Sequence, residues 1–113
     1  MSYAVTGTVT MPADAPTTRA ARVVVEVRST SRSDAPSTVT GSQSQTDLEL
    51  TPGASVPFRV DVDDLDPGET YGIRVHVDLN GSGIVEAGDL ITTRTTAVSA
   101  QQTQGIVAEV SRV

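Results

Sequence analysis

Cysteine and tryptophan are missing from this 113-residue chain, and aromatic residues make up only 3% of it. Without cysteine there is no disulfide framework, no thiolate nucleophile and no Cys-ligated zinc or iron–sulfur centre. With so few rings, Val, Ile, Leu and Ala must supply nearly all of the core. No apolar run approaches the roughly 20 residues of a membrane-spanning helix, so direct insertion into a bilayer is not expected. The opening "MSYAVTGTVT" has neither the basic start nor the unbroken apolar stretch of a secretory signal. As written, the chain reads as soluble, and as cytoplasmic if complete as it stands. Basic residues are also short, 8 against 14 acidic ones for a net charge of −6. An acidic chain with no basic cluster repels phosphate backbones and anionic headgroups, which argues against nucleic acid as a partner.

What is present suits one folded domain spanning residues 1–113. A chain of this length buries roughly two-thirds of the surface it exposes when unfolded, and its hydrophobic share of 37% lies in the globular range. The periodicity is that of strands. In "YAVTGTVTM" Tyr3, Val5, Val9 and Met11 share one face and the threonines the other. "ARVVVEVRS" turns Val23, Val25 and Val27 inward. "SVPFRVDV" alternates from Val56 to Val62, with Pro57 marking a sheet edge or a strand start. "YGIRVHVDL" points Tyr71, Ile73, Val75, Val77 and Leu79 inward and Arg74, His76 and Asp78 outward. "LITTRTT" and "GIVAEVSRV" supply two more strands, the last with Ile106, Ala108 and Val110 facing in. Between Ser29 and Ser55 the polar composition supports only weak strands, one near Val39 and one through Leu48 and Leu50. The expectation is an all-β, single antiparallel β-sandwich of about seven strands, immunoglobulin-like or transthyretin-like. "LDPGETYGIRV", with Leu65 six residues before Tyr71, resembles the tyrosine corner of such sandwiches.

The most specific chemical signal is "DLNGSGIVEAGD". Set against a calcium loop, it places Asp78, Asn80, Ser82, Ile84, Glu86 and Asp89 at the ligand positions, Ile84 through its carbonyl, with Gly83 at the sharp turn. A hard cation needs several oxygens around it, and this alternating spacing delivers them, so Ca2+ is the one cofactor the sequence suggests. Asp89 is one methylene shorter than the usual bidentate Glu, and the flanks are strands where helices are customary. The same residues also read as a hairpin connection in which Asn80-Gly81 takes positive φ and the acids are solvated. Catalysis finds no footing. His76 is the one histidine and sits on an outward strand face, and no nucleophile elbow is present. The acids Asp61, Asp63, Asp64, Asp66 and Glu69 read as a solvated edge. A second cation site there would lack the glycine and the ligand alternation.

Read in order, "VTGTVTM", "VVVEVRSTSRSDAPSTVTGSQSQ" and "SVPFRVDVDDLDPGETYGIRVHVD" resemble the YscW/YbaY family of pilotin-like lipoproteins over roughly residues 4 to 100. The most distinctive element is Ser31-Arg32-Ser33-Asp34-Ala35-Pro36, which also reads as a turn capped by Asp34. The resemblance implies a small β-sandwich of the Gram-negative envelope, usually lipid-anchored, whose characterised members escort an outer-membrane secretin by its C-terminal segment. No cysteine is present in this chain to carry lipid. The expected function is a non-enzymatic β-sandwich binding module that engages a protein or peptide, by strand addition near Pro57 or Val39. The alternative is a calcium-stabilised structural domain with no dedicated partner.

Overall fold

The computed structural model describes residues 3–15, 17–29, 38–62, 65, 68–92, 96–99, 101 and 103–113. Eight strands follow one another: β1 (Tyr3–Thr10), β2 (Thr18–Ser29), β3 (Thr38–Leu50), β4 (Ser55–Val62), β5 (Tyr71–Asp78), β6 (Leu90–Thr92), β7 (Thr96–Val98) and β8 (Ile106–Arg112). Among the described residues no helix is long and apolar enough to cross a membrane. The predicted apolar faces are buried, but Asp78, expected to point outward from β5, is buried as well. Val5, Val9 and Met11 of the first segment, Val23, Val25 and Val27 of β2, and Val75 and Val77 of β5 are buried. β4 alternates exposed and buried along its whole length. Each fully buried valine contributes about 1.5–3 kcal/mol relative to exposure, so a core built on valine rather than rings is sufficient.

The arrangement differs from the expected sandwich. All eight strands belong to one sheet in the order β3-β2-β5-β6-β8-β1-β4, with β7 pairing β5 beyond β6. The sheet rolls until its end strands, β3 and β4, stand side by side, giving a nearly closed barrel rather than two facing layers. Nor is it wholly antiparallel, because β1 and β8 run parallel from Gly7↔Ile106 to Thr10↔Glu109. Alternation specifies which face of a strand is buried and is silent about which strand lies beside it, so the pattern fits either architecture. Gly7 is the residue that allows the parallel contact: a Cβ there would stand 1.9 Å from the Ile106 carbonyl oxygen.

β3 is the element that the sequence under-represents. Where two weak strands were expected, one 13-residue strand runs from Thr38 to Leu50. It forms because β2 offers a ladder along its whole length, from Thr18↔Leu50 to Ser29↔Thr38, with one register shift at Val27/Arg28 that leaves Thr40 as the extra residue. Gly41, Gln43 and Gln45 lie opposite Val27, Val25 and Val23 and therefore share their inward face. Here the barrel closes without a backbone ladder between β3 and β4. The Gln43 Oε1 accepts the Arg59 N–H at 2.9 Å, and the Gln45 Nε2 donates to the Pro57 carbonyl at 2.9 Å. At Gly41 the strands come closest, since a Cβ would lie 2.6 Å from the Asp61 carbonyl oxygen and 2.7 Å from Val62 Cγ1.

β5 begins at Tyr71, as expected, and Leu65 and Tyr71 are both buried. The Ser31–Pro36 motif, along with Asp63, Asp64 and Asp66 of the acidic segment, lies outside the described residues.

Candidate functional site

The loop from Leu79 to Gly88 joins β5 to β6 and hangs from two buried carboxylates, one at each strand end. Asp78 is 1% exposed and Asp89 2%. The Asp78 Oδ1 accepts the Gly81 N–H at 3.0 Å, and its Oδ2 accepts the Gly83 N–H at 2.8 Å. Gly81 and Gly83 reach that carboxylate with φ of 75° and 82°, a left-handed backbone that glycine adopts without a Cβ penalty. The Asp89 Oδ1 accepts the Leu79 N–H at 3.1 Å, while its Oδ2 accepts the Glu86 N–H at 3.1 Å. That same Oδ2 lies 3.0 Å from Nε2 of His76. An ionised carboxylate only accepts, so the His76 Nε2 carries the proton between them.

Burial pushes the Asp89 carboxyl up, but the His76 hydrogen bond, the Leu79 and Glu86 amides and the nearby imidazole charge outweigh it and hold the group below the usual carboxylate range. The C-terminus braces the same corner. The Val113 N–H donates to the Asp89 carbonyl at 2.8 Å, and the Gly88 N–H donates to the Val113 carbonyl at 3.3 Å.

The other four predicted ligands lie further out. Asn80 Nδ2 donates to Glu86 Oε2 at 2.6 Å, and the Ser82 Oγ donates to the Ile84 carbonyl at 3.1 Å. Asn80, Ser82 and Ile84 are exposed and Glu86 is half-buried. Of the three predicted carboxylate ligands, Asp78 and Asp89 join a cluster that can hold an ion and Glu86 does not; the third member is His76, with one ligand atom from each within 4.8 Å of the others. His76 departs from the exposed cross-strand neighbour expected of it: its side chain is 16% exposed and tied to Asp89. The β5–β6 register sets this contact, since His76 pairs with Ile91 and Asp89 is two residues before it, and the sequence alone does not fix that register. Every carboxylate oxygen of the two aspartates is already engaged by a backbone amide, and among the described residues no buried side-chain polar atom lacks a partner. Those bonds account for the loop's shape without a cation.

Of the acidic edge, Asp61 is exposed as expected, whereas Glu69 is half-buried. Asp61 forms an exposed 3.2 Å pair with Arg59, and Glu69 accepts from Ser29 Oγ at 3.3 Å. The Pro57 expectation also holds, since β4 is a terminal strand of the sheet path.

A rolled, mostly antiparallel sheet of this size with an ordered loop defines the class: small, single-sheet, nearly closed β-domains. The solved structure of an alternative pilotin from the type II secretion system of Vibrio cholerae aligns with a TM-score of 0.75 at 18% identity, covering 100% of both chains. The family of type III secretion system lipoprotein chaperones, YscW, matches residues 1–109, and the chain belongs to that family. No curated protein sequence matches.

Proposed function

We propose that this chain is a non-enzymatic protein-binding module of the bacterial envelope that chaperones a secretion-system component, with a secretin as its partner. The observation that carries the reading is the family match across residues 1–109, supported by the pilotin fold of the whole chain. The mode we favour is strand addition, because the sheet ends in two strands that do not pair with each other by a backbone ladder. The loop between Asp78 and Asp89 then serves as a hydrogen-bonded brace for the β5–β6 end and the C-terminus.

The test is a titration of isotope-labelled protein with synthetic peptides covering the C-terminal segment of a secretin encoded in the same genome. Saturable amide shifts are expected with at least one peptide. If no peptide moves any resonance at millimolar concentration, the secretin assignment is wrong.

A further inference from the structure

We propose that the seam between β3 and β4 is the docking slot, and that its occupant is an extended segment of the partner protein which replaces the side-chain amides of Gln43 and Gln45. The proposal rests on the protein-binding reading above and locates it. In a sheet, the C=O of residue i−1 and the N–H of residue i+1 on the free side of a strand are the acceptor and donor that a neighbouring strand uses. On β4 these are the Pro57 carbonyl and the Arg59 amide, flanking Phe58. The first receives the Gln45 Nε2 and the second gives to the Gln43 Oε1, each at 2.9 Å. Two glutamine side chains therefore occupy the positions of a missing peptide strand.

Three further observations set the direction and chemistry of entry. The far end is sealed at Gly41, where β3 meets the backbone of Asp61 too closely for even a methyl group. The other end is closed by the Thr51–Ala54 turn that joins β3 to β4, so between the two ends only the Gln43 and Gln45 side chains span the seam, and an extended segment enters there from the side. The inward face of β3 is Gly41, Gln43 and Gln45, although it stands beside Val27, Val25 and Val23 of β2. These half-buried amides match a polypeptide backbone and give nothing to an aliphatic ligand. Toward the turn β3 carries exposed Asp47 and Glu49, the former 3.1 Å from Arg19. Glu49 on that rim, on a chain of net charge −6, favours an occupant with a basic residue where it leaves the slot.

Pro57 is suited to this place. It offers the carbonyl and has no N–H of its own, so the edge stays unladdered in the free protein. Full entry of a strand requires the two backbones to stand about 9.6 Å apart, twice the usual spacing. Exchanging side-chain amides for main-chain ones is nearly isoenergetic, so the hydrogen bonds themselves do not oppose entry.

Three measurements test the slot, with the secretin peptide that binds best as the probe. In the free protein, hydrogen exchange at the Arg59 amide is expected to be faster than at the laddered amides of Phe58 and Val60. Exchange as slow as theirs would show a closed seam and overturn the slot. The variant Gln43→Ala with Gln45→Ala removes the competing amides, so peptide affinity is expected to rise about fivefold, the weight of one net hydrogen bond. Unchanged or weakened binding by a folded double variant counts against displacement. Last, Thr46→Cys with Ser55→Cys, both exposed and on opposite sides of the seam, can be bridged by a short bifunctional thiol reagent in a chain that has no other cysteine. Bridging is expected to abolish peptide binding, while the unbridged pair still binds. Equal binding by bridged and unbridged protein overturns the slot and leaves the protein-binding function standing. No binding by wild type overturns the function and the slot with it. A concentration-dependent dimer that the bridge dissolves would assign the seam to a second copy of this chain and overturn the partner named here.

Discussion

At Asp89 one carboxylate ties together the N–H groups of Leu79 and Glu86, the His76 ring and, through its own carbonyl, the C-terminal Val113. Because its folded-state value lies below that of an unfolded aspartate, folding favours the ionised form. Its contribution to stability is complete above the unfolded carboxylate value of about 3.9 and is lost as pH falls through the lower folded one. Thermal melts of wild type and Asp89→Asn between neutral pH and pH 3 are expected to converge at the acid end, with wild type the more stable at neutral pH. Curves that stay parallel throughout would remove Asp89 from the acid transition. Gly7 is the second residue whose identity is dictated by one contact. Gly7→Ala drives a methyl group into the Ile106 carbonyl at the parallel β1–β8 junction. A loss of about 3 kcal/mol or more is expected in denaturant titration, at the upper end of overpacking costs, because a ladder carbonyl cannot swing aside as a side chain can.

At the scale of elements, the β5–β6 loop and strand β3 are the informative ones. The loop matches a calcium motif residue by residue, yet its two buried carboxylates point at amides and at His76. The melting temperature is therefore expected to be the same within about 1 °C in millimolar Ca2+ and in EDTA. A rise of several degrees in calcium that Asp78→Ala abolishes would establish the ion instead, since a ligand bound only by the folded state must stabilise it. β3 shows how far tertiary pairing can override composition. "TGSQSQT" has no apolar residue, and its inward positions are a glycine and two glutamines, so periodicity had nothing to register there. Gly41 is the point where that strand closes the barrel, and Gly41→Ala is expected to cost about 1–3 kcal/mol, because its new Cβ would collide with the Asp61 carbonyl. A neutral result in chemical denaturation would mean that the β3–β4 end gives way freely.

For the whole molecule, eight strands share one core drawn from all parts of the chain. β4 reaches its ladder partner β1 across some 50 residues of sequence, and β1 meets β8 across nearly the full length of the chain. Such non-local pairing predicts slow folding for a domain of this size, in milliseconds to seconds by stopped-flow; microsecond relaxation would contradict it. The β1, β2, β4, β5 and β8 segments were legible in the sequence because each must bury alternate side chains, and alternation records that requirement directly. Family membership was legible for the same reason, in the ordered run of strand and turn motifs. The loop's dual reading was legible too, since carboxylate spacing is written in the chain, whereas the engagement of those carboxylates by amides and by His76 depends on where β6 lies. Tertiary structure alone decided that the sheet rolls into a near-barrel, that β1 and β8 run parallel, and that β3 and β4 meet through glutamine side chains. A strand's pattern encodes its burial, and its neighbours are chosen only when the sheet closes on a shared core.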